Sequence, residues 1–324
     1  MKRRMGILCL GCLVLVSVFT MNAACASEPY QNAGATENFS ATGSASGPGA
    51  DAATWQKVFT LLFWEWKGNA IERTRDGGSI IAGDGRKYDW RTRTYSDKAI
   101  LVKITAGGAM EWMKSYGTHL HNYGTSVRQT PDGGYILGVK GMDEGIVTML
   151  LVKTDAGGVV QWQKKVGNTG MLGPLRVEAT KDGGYAVLFA MTAEGKGYQA
   201  GVLKTDKNGV KSWVKTYGGP GDEIARSFRQ TGDSGFIIIG DSYAGGGQIH
   251  MVRTDANGAV TWQKYIGADG VVHYACDVIQ AADGCFVVSG RTGDPPGLTI
   301  FRVGPGGALK WKKTYVQDAD GNAL

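Results

Sequence analysis

His119 and His121 are the first place in this sequence where two side chains could act together. Alternate residues of a strand share a face, so a His-x-His pair could supply two corners of a metal site. No third ligand stands at a usable spacing, and no metal is expected. A second grouping is denser. Tyr88 and Trp90 lie among Arg86, Lys87, Arg91 and Arg93. Aromatic faces beside guanidinium groups can stack on sugar rings and grip acidic groups or protein partners. Tyr243, in a Gly-rich segment further on, is a further aromatic candidate for binding.

Hydrolysis would need paired carboxylates at a pocket. Glu65, Glu144, Glu194, Asp222 and Glu223 all fall at irregular positions and are the candidates. The chain has no G-x-S-x-G elbow, no H-E-x-x-H and no phosphate-binding P-loop. No catalytic residue and no cofactor is assigned. Asp318 to Asn322 resembles a fragment of a calcium loop but lacks the distal Glu.

What must position these residues is a repeat. A Trp-x-Lys unit recurs at 55, 112, 162, 213, 262 and 311, at intervals of 57, 50, 51, 49 and 49. Between these units fall TRDGGSIIAG, TPDGGYILG, TKDGGYAVL, TGDSGFIIIG and AADGCFVVSG. Ahead of each later Trp comes an apolar run such as LLVKTDAGG. Each period reads as four short strands, with Asp-Gly-Gly and Asp-x-x-Gly supplying the positive-φ positions of tight hairpins. Four antiparallel strands in about 50 residues is the size of a propeller blade. The expected fold is all-β, a β-propeller of five four-stranded blades, with six as the alternative because six Trp units accompany five complete sets. Gly is 51 of 324 residues and Pro only 8, which suits tight turns.

The blade order separates structure from recognition. The uniform Asp-Gly-Gly and Asp-x-x-Gly hairpins belong on one face of the ring. The second-to-third hairpins and the blade links belong on the other, and they carry the variation: GDGRKYDWRTRTYSDK, KGMDEGIVT, TAEGKGYQ, DSYAGGGQ and TGDPPG. Variable loops on a rigid scaffold are where binding sits. The repeated Trp, the Lys of Trp-x-Lys, and the row Lys103, Lys153, Lys204, Arg253 and Arg302 occur once per blade. They are expected to serve the blade itself.

The pattern W-x-K-x-Y-G, T-x-D-G-G-Y and L-V-K-T-D-x-x-G over residues 55 to 316 resembles a large group of exported bacterial and archaeal repeat proteins read as β-propellers. That resemblance implies the fold and no shared activity. A looser similarity links the D-x-x-G-x-x-x-W spacing of Asp155, Gly158 and Trp162 to quinoprotein-like propellers, whose blades carry one more residue in that interval.

Residues 1–26 read as a secretory signal: Lys2, Arg3 and Arg4, an apolar stretch from Ile7 to Phe19, then Ala24-Cys25-Ala26. The alternative is a lipoprotein signal ending before Cys25, which would then be lipidated. Residues 27–54 read as a flexible linker and 55–324 as the repeat domain. Without the three leading basic residues the formal charge of +6 falls to +3, too little for a nucleic-acid footprint. Cys276 and Cys285 flank a turn in a register that sets Cys285 opposite Gln280, so no bridge is expected.

These features describe a non-catalytic binding or scaffold propeller, exported to the periplasm, cell surface or medium. It would recognise an envelope protein or polysaccharide through its variable face, touching a membrane only through a lipid anchor. The alternative is a glycan-active hydrolase or lyase using the irregular carboxylates near the ring axis.

Overall fold

A computed structural model describes residues 65–316, apart from 168–170, 194, 196, 220, 244–245, 268–270 and 294–295, together with the pairs 37–38 and 58–59. Two short strands, β1 (Glu37–Asn38) and β2 (Val58–Phe59), pair with each other. The signal segment, Cys25 and the Asp318–Asn322 stretch lie outside the described residues.

Twenty strands then follow in five sets of four. Blade 1 comprises β3 (Glu65–Arg73), β4 (Ser79–Asp89), β5 (Thr94–Ile104) and β6 (Met110–Tyr116). Blade 2 comprises β7 (His121–Gln129), β8 (Tyr135–Asp143), β9 (Ile146–Thr154) and β10 (Val160–Lys165). Blade 3 comprises β11 (Met171–Ala179), β12 (Tyr185–Ala193), β13 (Gly197–Thr205) and β14 (Lys211–Tyr217). Blade 4 comprises β15 (Glu223–Gln230), β16 (Phe236–Ser242), β17 (Gln248–Thr254) and β18 (Val260–Ile266). Blade 5 comprises β19 (His273–Gln280), β20 (Phe286–Thr292), β21 (Gly297–Val303) and β22 (Leu309–Val316). Within each blade the strands run antiparallel in sequence order. The fold is a β-propeller of five four-stranded blades, as the repeat implied. The surplus Trp unit is the first: β2 lies within it and pairs with β1, inside the stretch read as linker.

The turns explain why the strands stop where they do. In blade 2 the Asp132 carboxylate accepts the Gly134 N–H and the Thr130 hydroxyl, and Thr130 and Gly134 close the hairpin through their backbones at 2.9 Å. Gly133 has φ of 83°. A Cβ on Gly134 would lie 2.1 Å from the Thr154 carbonyl oxygen, so only glycine fits. The same Asp receives a cation from the third strand. Lys103 binds Asp76 at 2.9 Å, Lys153 binds Asp132 at 2.8 Å, Lys204 binds Asp182 at 2.8 Å, Arg302 binds Asp283 at 2.6 Å, and Arg253 binds Asp233. These cations hold turns, and do not converge on a ligand.

Second and third strands of the inner blades are apolar runs because neighbouring blades cover both of their faces; β16 is buried along its whole length. The fourth strands are largely exposed. Lys114, Lys164, Lys215, Lys264 and Lys313 of Trp-x-Lys lie on this outer rim, and Lys57 lies outside the described residues. Lys114, Lys164 and Lys313 each sit about 6 Å above the Trp two residues earlier. Phe286, rather than Cys285, stands opposite Gln280, a one-residue correction to the expected register, and Cys276 and Cys285 form no disulfide.

Candidate functional site: the variable face

Blade 1 carries the longest hairpin. β4 and β5 each run for 11 residues, against 7 to 9 for the second and third strands elsewhere. The extension is zipped by Tyr88 opposite Tyr95, with ring centroids 4.8 Å apart. At its tip Asp89 accepts the Arg91 N–H at 2.8 Å, and Arg93 takes a left-handed conformation with φ of 55°. The loop therefore holds a defined shape. It presents Trp90 with 73 % of its surface exposed and the Arg91 guanidinium 5.4 Å from the indole.

The root of this hairpin is Asp97, buried on β5. One carboxylate gathers Arg86 at 3.0 Å, His121 Nδ1 at 2.7 Å and the Tyr123 hydroxyl at 2.8 Å. Burial opposes the charge on Asp97, but the hydrogen bonds from Tyr123, His121 and Arg86 outweigh it and hold the carboxyl below its ordinary range. Burial, and then Asp97 itself, pushes the Tyr123 hydroxyl up to about 12. A single parallel bridge between Asp97 and His121 joins blades 1 and 2 here.

His119 and His121 do not converge. His121 serves Asp97. His119 turns to the blade 2 loop, with Nε2 3.9 Å from Asp143 and Nδ1 3.3 Å from the Thr118 hydroxyl. Among the described residues no three potential metal ligands cluster.

Tyr243 belongs to a different seam. It follows β16 in blade 4, half exposed, and its N–H donates to the Asp222 carbonyl at 3.1 Å. Burial, and next Asp241, raises its hydroxyl pKa; Arg226, Tyr274 and Arg291 also act on it. Arg226 clamps Asp241 through Nε at 2.7 Å and Nη2 at 2.5 Å. Arg291 lies 4.0 Å over the Tyr274 ring. The expected site residues thus divide into the group Tyr88, Trp90, Arg91, Arg93 and His121 on blades 1 and 2, with His119 turned aside, and Tyr243 on blade 4.

The first strands carry a charged network that the repeat reading did not single out. Two residues before each hairpin Thr, or its Ala281 equivalent, stand Glu72, Arg128, Glu178, Arg229 and Ile279. Glu178 accepts from Arg128 at 3.0 and 3.2 Å and from Arg229 at 2.8 Å. Arg229 also reaches Asp277 at 3.3 Å. Glu72 accepts the Gln129 N–H at 2.9 Å, and burial raises its pKa against the pull of Arg128. The alternation of sign at one repeat position was the available signal.

The irregular carboxylates have structural duties. Glu223 is buried, accepting the Gly219 N–H at 2.8 Å and the Gln199 amide at 3.2 Å, so it plugs a blade link. Asp222 accepts the Tyr198 N–H at 2.7 Å, and Glu144 forms a turn with φ of 46°. The side chains of Glu65 and Glu194 lie outside the described residues.

No family model matches the chain, and no curated protein matches it. Among solved structures it is similar to a puromycin hydrolase, at 15 % identity and TM-score 0.47, over 75 % of this chain and 38 % of that one. It is also similar to the β-1,2-mannobiose phosphorylase of Listeria innocua, at 11 % identity and TM-score 0.40, over 77 % of this chain and 90 % of that one. The chain thus spans well under half of the hydrolase. Neither likeness bears on activity.

Proposed function

We propose that this chain is a non-catalytic binding propeller of the cell envelope, which holds an envelope protein or polysaccharide against its variable-loop face. The observation that carries the reading is the blade 1 hairpin. It is longer than its counterparts, internally zipped, and anchored at a buried Asp97, yet it ends in an exposed Trp90 and Arg91 that the fold itself does not use. Rigid aromatic and guanidinium groups at a protruding tip cost little entropy on binding. The carboxylates of the inner strands weigh against hydrolysis: Glu178 and Asp277 are tied to Arg128 and Arg229 in ion pairs.

The test is retention of envelope protein and polysaccharide by residues 51–324, beside the same chain carrying Trp90→Ala, Arg91→Ala and Arg93→Ala. Retention by the unmodified chain alone supports the reading. Equal retention by both removes the hairpin from it, and retention by neither rejects binding at this face.

A further inference from the structure

Residues 27–324 carry a formal charge of +3, and the blade 1 hairpin accounts for all of it. From Arg86 to Lys98 stand five cations, Arg86, Lys87, Arg91, Arg93 and Lys98, against the carboxylates of Asp89 and Asp97, a net of +3 within 13 residues. The other residues of 27–324 sum to zero. Both hairpin carboxylates are engaged inside the fold. Asp89 accepts the Arg91 N–H at 2.8 Å, and Asp97 takes Arg86, His121 and Tyr123. Among the described residues no carboxylate pairs with the Arg91 or Arg93 side chain.

The same hairpin sets an exposed ring beside a guanidinium twice. At the tip, Trp90 is 73 % exposed and the Arg91 guanidinium stands 5.4 Å from the indole centroid. On β4 and β5 below it, Tyr88 lies opposite Tyr95 and Arg86 opposite Asp97, so these four share one face. There Tyr95 is 49 % exposed, with the Arg86 guanidinium 5.9 Å from its ring centroid. The Arg86 side chain is held by Asp97 at 3.0 Å and is itself 45 % exposed. Each station joins a flat aromatic surface to a positive charge. The C–H groups of a sugar ring settle on the negative face of an aromatic ring, and a guanidinium can grip a carboxylate through two parallel N–H bonds.

We propose that this hairpin binds an acidic polysaccharide, a chain of uronate rings. The inference rests on the binding role proposed above and names its ligand class. A uronate polymer repeats a sugar ring and a carboxylate together along its length, which is the pairing that the hairpin repeats. An acidic polypeptide carries its carboxylates on flexible stems and offers no sugar ring to lie on Trp90. A neutral glycan offers the ring but leaves Arg91 and Arg93 without a counter-ion. Both guanidinium groups are exposed to solvent, so their share of the binding is screened by salt.

The test is binding of the chain to immobilised polygalacturonate and alginate. Two control polymers stand beside them: carboxyl-reduced polygalacturonate, which keeps the rings, and poly-L-glutamate, which keeps the charge. Binding to at least one uronate polymer is expected, stronger than to either control. Trp90→Ala, and separately Arg91→Ala with Arg93→Ala, should each weaken it at least about tenfold while the thermal melts match the parent. Raising NaCl from about 50 to about 500 mM should weaken it for the parent more than for the double arginine variant. Failure to bind both uronate polymers overturns the proposal. Equal binding to the carboxyl-reduced polymer or to poly-L-glutamate overturns it as well, the latter pointing to an acidic protein segment. Uronate binding that ignores the hairpin variants removes the hairpin from it. Hairpin-dependent capture of envelope material without uronate binding rejects the ligand class and leaves the binding role standing.

Discussion

Replacing Glu178 by Ala tests whether the inner strands are held by their charges. The carboxylate takes three hydrogen bonds from two guanidinium groups, so its loss takes both acidic hydrogen bonds from Arg128 and leaves Arg229 only Asp277. Breaking a buried pair from one side costs about 3–5 kcal/mol. Here the arginine side chains keep 16 and 24 % exposure, and each retains a backbone carbonyl, Val127 and Phe228 respectively. Those outlets reduce the expected cost to about 2–3 kcal/mol, or roughly 5–10 °C in melting temperature for a domain of this size. Urea denaturation of the parent, Glu178→Ala, Arg128→Ala and the double variant gives the coupling directly, expected at about 1–3 kcal/mol. Glu178→Gln keeps the shape and loses the charge, and it should recover only part of the loss. A Glu178→Ala variant within about 0.5 kcal/mol of the parent would refute the reasoning, since the network would then be ornamental.

Trp90→Ala with Arg91→Ala and Arg93→Ala should leave the melting temperature within about 1–2 °C of the parent, because the tip carries no core contact; calorimetry checks this. Gly258→Ala should cost about 2–4 kcal/mol, since it puts a side chain at φ of 74° and a Cβ 2.8 Å from the Trp213 ring; urea midpoints read it. Acid stability should follow the turn aspartates. Burial acts against the charge of Asp182, but Lys204, Thr180 and the Gly184 N–H bring its pKa down to about 2, and Asp233 is lowered to about 2 by Thr231 first. Their folded pKa lies below the unfolded one, so the stabilisation is whole above about pH 4 and is lost as pH falls towards 2. Urea midpoints from pH 5 to 2 should therefore drop less steeply for Asp182→Asn. At the alkaline end, burial pushes Tyr135 and Tyr185 up to about 12. That stabilisation is whole below about pH 10 and is lost as pH rises towards 12, which Tyr135→Phe should blunt in a circular-dichroism titration.

The fold was legible because each blade solves the same local problem with the same residues. Asp-Gly-Gly fixes a hairpin, a cation at the end of the third strand, two strands further on, locks the Asp, and a Trp closes the seam. A residue repeated in phase reports its neighbours wherever it recurs. Positions that differ between blades report nothing by themselves. Whether Glu223 points into a pocket or plugs a link depends on the Gly219 amide in the same link and on Gln199 on β13. The union of the hairpin root with His121 was invisible for the same reason: Asp97 and His121 meet through a bridge between blades, 24 residues apart. The Glu72, Arg128, Glu178, Arg229 alternation is legible in the repeat as a change of sign at one position.

The same logic separates scaffold from recognition. A side chain that the fold needs is found with its partners satisfied, as Lys153 is by Asp132, the Thr154 carbonyl and Gln161. Trp90 is a large apolar surface held out on a hairpin whose tyrosines and aspartates already secure its shape. The described scaffold does not bury that indole, and the proposed binding role is what would account for it. Loss of capture without loss of stability in the triple hairpin variant is therefore the result that would distinguish a recognition element from a decorated turn.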